Sequence, residues 1–128
     1  MKVETPISIG ELFDKISILS IKKNRIKHDQ ASIDLISHEL ELLHEIAFKI
    51  NPQYLTSTEY LDLYLVNSHL YAIEDDIREC ESKKLFGILF IELARSVYVE
   101  NDKRAAIKLT INKLYGSDIT EVKTYQKY

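Results

Sequence analysis

A single all-α domain is the fold this sequence predicts: a helical bundle of four to five helices with an N-terminal antiparallel helix hairpin and a long third helix. Three observations lead there. The chain is 45% hydrophobic and 29% charged with only three Gly and two Pro, a balance that suits ordered helices and is poor in the turn residues a sheet protein needs. Apolar residues recur at helical spacing in successive stripes. Two Ser/Thr-x-x-Glu signatures mark helix starts. With 128 residues the chain can bury a core without metal or disulfide staples, so residues 1–128 read as one domain with 116–128 as a C-terminal tail.

The first helix is expected from about residue 9 to 28. Ser8-Ile9-Gly10-Glu11 is a capping box: the Ser8 hydroxyl accepts from the Glu11 N–H, and the Glu11 carboxylate reaches back to the Ser8 N–H. Leu12, Ile16, Leu19 and Ile26 form the apolar stripe, Glu11 and Lys15 stand at i,i+4, and Lys22, Lys23, Arg25 and Lys27 suit the negative end of the helix dipole. A second helix follows the break Asp29-Gln30-Ala31-Ser32. Its stripe is Ile33, Ile36, Leu40, Leu43, Ala47 and Ile50, and it stops before Asn51-Pro52 because the residue preceding proline disfavours the α region.

Thr56-Ser57-Thr58-Glu59 is the second capping box and opens a long pattern over roughly residues 57 to 84. At 1.5 Å per residue this is about 40 Å, more than a small domain covers, so the helix is expected to break or to meet a second subunit. Leu63, Val66, Leu70, Ile73, Ile77 and Cys80 form its core stripe, and Tyr60, Tyr64, Asn67, Tyr71, Glu74 and Arg78 an adjacent amphipathic one. Gly87 marks a joint before the stripe Leu89, Phe90, Leu93 and Val97. Asn101 or Asp102 can cap a final helix carrying Ile107, Ile111 and Leu114, and Gly116 suits the left-handed position beyond its end. A helix running unbroken through residue 114 satisfies the same pattern. Residues 117–128 predict either a strand or a tail packed on the bundle.

The formal charge of −3 is unevenly spread: residues 1–28 carry six Lys/Arg against three Asp/Glu, residues 29–81 two against twelve, and residues 82–128 nine against five. An acidic middle packed between basic ends accounts for this, and neither basic segment has the aromatic interleaving or overall positive excess that nucleic-acid binding calls for. No apolar run approaches the roughly 20 residues of a membrane span. With one cysteine and no secretory-signal layout, the chain reads as cytoplasmic. Neither a catalytic motif nor a cofactor motif is present. His38 and His44 lie six apart, on different helix faces, and Glu41-Leu42-Leu43-His44 has no second copy, so no metal is expected.

What remains is a charged block inside an apolar helical pattern, Phe90 to Lys108. Arg95 lies between small Ala94 and Ser96 and core Leu93 and Val97, which places its guanidinium at the interior edge. It cannot deprotonate, so it must pair with a carboxylate or hold an anion. Glu92, or Glu74 or Asp75 from the third helix, is the expected partner in a buried network that keeps two helices in register. The alternative is a small anionic ligand, a sugar nucleotide, phosphate or dicarboxylate, held by Asn67, Tyr71, Glu74, Arg78, Arg95, Asn101, Asp102, Arg104 and Lys108.

Asp75-x-x-Arg78-Glu79 resembles a turn of the all-helical chorismate mutases, but Val66 stands where that family places a lysine, and no glutamine occurs between Gln53 and Gln126. A broader likeness spans nearly the whole chain. Pro6 to Ile16, Asn67 through Glu74-Asp75-x-Ile77-Arg78, the Phe90–Lys108 block, and Gly116-Ser117 before Lys123-x-Tyr125 together resemble a bacterial and phage family of unknown function. Its members also occur as a domain attached to tetratricopeptide-repeat or glycosyltransferase-containing proteins. The resemblance implies a carbohydrate or surface-polysaccharide setting and no particular activity. Two functions are therefore expected: foremost a helical binding or adaptor protein, with a homodimer or another protein as partner, and second an enzyme or sensor for a small anion.

Overall fold

The computed structural model describes residues 1–128 and contains four α-helices, one short 3₁₀ turn and no strand: α1 (Ile9–Arg25), α2 (Gln30–Ile50), the turn Tyr54–Thr56, α3 (Thr58–Ser82) and α4 (Ile88–Leu114). Ser8 caps α1 by accepting from the Glu11 N–H at 3.0 Å. The Glu11 carboxylate does not complete the box, nor does it pair with Lys15. It takes Lys108 at 2.6 Å, while Lys15 turns to Glu39 on α2 at 3.8 Å. The first helix ends three residues earlier than its periodicity suggests, where Ile26 becomes extended.

Asp29 is the reason α2 starts earlier than expected. Its carboxylate accepts from the backbone N–H of Ser32 at 3.0 Å and from the Ser32 hydroxyl at 2.7 Å, so Gln30 to Ser32 form a first turn and not a break. α2 ends at Ile50, before Pro52. Ser57 caps α3, one residue later than the box predicts, since the Thr56 hydroxyl is already donating to the Gln53 carbonyl.

α3 turns into α4 through a left-handed Lys84 (φ 55°) with Leu85 N–H bonded to the Cys80 carbonyl at 2.9 Å. α4 then runs unbroken past Asn101 and Asp102. Neither acts as an N-cap, because the Asn101 side chain accepts from Arg104 and Asp102 takes Lys123 and Tyr128 from the tail. Gly116 (φ 64°) adopts the left-handed conformation, and Ser117 N–H closes the helix end onto the Asn112 carbonyl at 2.8 Å. The tail forms no strand and folds back along α4.

The central element is α1, not the long third helix. α1 packs on each of the other three helices, α3 and α4 pair with one another most extensively, and α2 leans on α1. The core therefore gathers Leu12, Phe13, Ile16 and Leu19 with Leu40 and Ala47 of α2, Tyr54, Tyr60 and Leu63, and Ile111 of α4. Phe13 stacks on Tyr54 with ring centres 5.0 Å apart and meets the edge of Tyr115. At 1.5 Å per residue α1 is about 25 Å long and the α3–α4 pair about 40 Å, so the hairpin overhangs the bundle and residues 81–89 are all exposed.

Candidate functional site

A helix at the centre of a bundle is covered on more than one side, and α1 carries two inward stripes. Leu12, Phe13, Ile16 and Leu19 make the apolar one. Gly10, Asp14, Ser17 and Ile21, spaced 4-3-4, make the other, and all four are buried. Asp14 is fully buried (0% exposed), a costly place for a carboxylate unless it is paired and hydrogen-bonded. Arg104 grips it with both arms of its fork, Nε to Oδ1 at 2.9 Å and Nη2 to Oδ2. Asn67 adds an amide N–H to Oδ1 at 2.9 Å and another to the Ser17 hydroxyl at 2.7 Å, and that hydroxyl donates to the Asp14 carbonyl. The Asp14 hydrogen bonds raise the Arg104 guanidinium above its ordinary range, against the opposing effect of burial.

One turn further along α4, Lys108 reaches Glu11 at 2.6 Å and Glu121 of the tail at 3.8 Å. Burial opposes the charge on Glu121, but hydrogen bonds from Ser8 and Asn112 and the nearby Lys108 outweigh it, leaving the carboxyl below its usual range. Asn112 spans three elements. Its side-chain carbonyl accepts the Gly10 N–H at 2.6 Å and its amide donates to Glu121 at 2.8 Å. Ser8, Gly10, Glu11, Asp14, Ser17 and Asn67 are thus stitched to Arg104, Lys108, Asn112 and Glu121 in a polar seam joining α1 to α3, α4 and the tail.

Six of the nine predicted site residues, Asn67, Tyr71, Glu74, Arg78, Asn101 and Arg104, line one groove of about 500 Å³ between α3 and α4. Asp102 and Lys108 line a second groove of about 810 Å³ under the tail, which Asn101 and Arg104 also border. Arg95 belongs to neither. Its side chain is 62% exposed and pairs with Glu92 at 3.4 Å on the outer face of α4, which corrects its expected interior place. The helical phase explains the displacement: Phe90, Leu93 and Val97 face α3, and Arg95 points nearly opposite to them. The buried arginine is Arg104, whose carboxylate comes from α1 and not from Glu74 or Asp75. Glu74 pairs with Arg78 at 3.6 Å, and Asp75 with Arg25 at 2.8 Å, where the Arg25 guanidinium also covers the Tyr71 ring at 4.3 Å.

Gly10, Glu11, Asp14, Ser17, Asn112 and Glu121 were not among the sequence candidates. The signal for half of them is the 4-3 spacing of Gly10, Asp14 and Ser17 beside an apolar stripe. Small and polar residues in that phase mark a second packed face. The predicted complementarity of charged segments holds between helices at the front of the chain, through Lys15–Glu39 and Arg25–Asp75, and locally at the α3–α4 turn, through Lys83–Glu79 and Lys84–Glu81, whereas Arg104 and Lys108 of the basic C-terminal segment take the acids of α1.

A second polar pair lies at the other end of the core. Burial pushes the Tyr54 hydroxyl well above the ordinary phenol range, so it keeps its proton, and it is hydrogen-bonded to His44 Nδ1. Burial, and secondarily the charge of Lys23, lowers the His44 pKa. The unfolded chain therefore takes up this proton before the folded one, and stability should fall as pH drops below about 6.5, the ordinary histidine value. Denaturant midpoints at pH 7.5 and 5.5 test this: the loss on acidification should shrink in His44→Phe, and an unchanged loss would assign it elsewhere.

These features define an all-α bundle whose buried charges, Asp14 with Arg104 and Glu11 with Lys108, are matched pairs where α1 meets α4. No three His, Cys, Asp or Glu side chains converge as a metal site requires, and no helix is long and apolar enough to cross a membrane. No known protein family, curated protein or solved structure matches the chain.

Proposed function

We propose that this chain is a helical protein-binding or adaptor module, and that its Arg/Lys/Glu cluster is structural. One observation carries the reading: the cations in and around the two grooves already have carboxylate partners. Arg104 has Asp14, Lys108 has Glu11, Arg78 has Glu74, Arg25 has Asp75 and Lys123 has Asp102. A small anion entering either groove would have to displace a carboxylate from a guanidinium or ammonium, which leaves little net gain. The surface offers instead a run of outward apolar side chains at the α3–α4 turn, Leu85, Phe86, Ile88, Leu89 and Ile91, of the kind that marks a protein contact. The carbohydrate setting implied by the resemblance supplies the context for that partner and no chemistry of its own.

Thermal shift with inorganic phosphate, a nucleoside-diphosphate sugar and succinate tests the reading. A ligand at a hundredfold excess over its dissociation constant stabilises by about 2.7 kcal/mol, and none of the three is expected to do so. A stabilisation that disappears in Arg78→Ala, a substitution at the rim of the groove, would overturn the adaptor reading in favour of an anion sensor or enzyme.

A further inference from the structure

We infer that the outer face of α4 is an isologous interface at which a second copy of this chain packs antiparallel. The inference rests on the protein-binding reading and names the partner. The first half of α4 carries apolar side chains on both sides. Phe90, Leu93 and Val97 are partly buried toward α3, yet Ile88 (82% exposed), Ile91 (53%) and Val99 (38%) face outward, and Tyr98 alone among the outward residues is met by the tail, through Tyr128. Apolar side chains on the side away from α3 call for a cover of their own.

The outward stripe has the symmetry that self-association demands. Ile88, Glu92, Arg95 and Val99 are spaced 4-3-4, the seam of two helices packed side by side. A two-fold axis crossing α4 midway between Glu92 and Arg95 sets Ile88 of one copy against Val99 of the other, and Glu92 against Arg95. Apolar meets apolar, acid meets base, and each contact occurs twice, as an isologous interface requires. The same axis turns the exposed Glu92–Arg95 pair of one helix into a four-charge cluster across two. An unrelated partner would not need this mirror order along the helix.

The hairpin end leaves room for such a contact: residues 81–89 are all exposed, and a standard stable interface takes roughly 800 Å² from each partner.

Light scattering on the full chain should give twice the 14.9 kDa of one chain, down to micromolar concentration. R95E sets carboxylates against one another across the axis and should weaken the dimer about a hundredfold. E92R alone should weaken it similarly by opposing two guanidinium pairs, and the double variant E92R/R95E should restore it. I88S should dissociate the dimer without touching the ion pairs. All these positions are solvent-exposed in one chain, so helicity by circular dichroism should remain unchanged. A wild-type monomer at roughly millimolar concentration overturns the inference, as does a dimer indifferent to R95E or a double variant that fails to recover. None of these results touches the adaptor reading, which fails only through the anion screen.

Discussion

Arg104→Ala should lower the unfolding free energy by about 3–5 kcal/mol, the usual cost of stripping one partner from a buried ion pair. The reason is the asymmetry of the pair: the Arg104 side chain is 29% exposed and its partner Asp14 is at 0%. Without the guanidinium, Asp14 keeps only the Asn67 amide as a side-chain donor, and its buried charge loses the cation that balances it. Arg104→Lys should fall between the two, because an ammonium keeps the charge but cannot hold both Asp14 oxygens at once. Urea denaturation of the three proteins at pH 7.5 checks this. A loss under about 1 kcal/mol at pH 7.5 would place Arg104 with ordinary surface ion pairs and undo the structural account of the cluster.

Gly10→Ala offers a test in which two effects have opposite signs. By helix propensity alone, alanine inside a helix is better than glycine by about 1 kcal/mol, so the substitution should stabilise. In the folded chain, however, a Cβ on Gly10 would lie 2.6 Å from the Lys108 carbonyl oxygen and 2.9 Å from Asn112 Oδ1. The first of these is backbone of α4 and cannot swing aside. α1 must move off α4, which stretches the buried Gly10 N–H bond to Asn112 and disturbs Lys108 and Arg104 alongside it. Overpacking costs about 1–3 kcal/mol and a compromised buried hydrogen bond a similar amount, so a net loss of roughly 3 kcal/mol is expected. A gain in melting temperature would show that α1 and α4 approach less closely than described.

Much of the architecture was legible before any coordinate. The helical stripes place α2, α3 and α4 to within a few residues, because one buried face per helix imposes a 3.6-residue period that survives in the sequence. Proline after Asn51 and glycine at 116 end their helices for local steric reasons. The errors were at boundaries decided by rival hydrogen bonds. The Glu11 carboxylate has a stronger partner in Lys108 than in the Ser8 N–H, Asp29 caps α2 before the apolar stripe begins, and Asn101 and Asp102 are drawn to Arg104 and the tail rather than to a helix start.

The candidate site shows the division most clearly. Arg104, Asn67, Asn101 and Lys108 could be picked out as charged or amide residues in apolar context, since that mismatch is written locally. Which arginine is buried could not. Arg95 and Arg104 lie nine residues apart on one helix with similar neighbours, and their fates differ because nine residues turn the helix by about half a revolution, so that Arg104 faces Asp14 of α1 and Arg95 faces away from the bundle. Composition and periodicity by themselves determined the helices, their order and the main apolar face of each, apart from Leu89 and Leu114, which lie exposed; all of this follows from interactions within a few turns of chain. The pairing of Asp14 with Arg104 across 90 residues, the central place of α1 and the outward stripe on α4 were decided only when the helices packed. Burial and pairing depend on which surfaces meet, and in a bundle each helix can satisfy its own period against more than one neighbour.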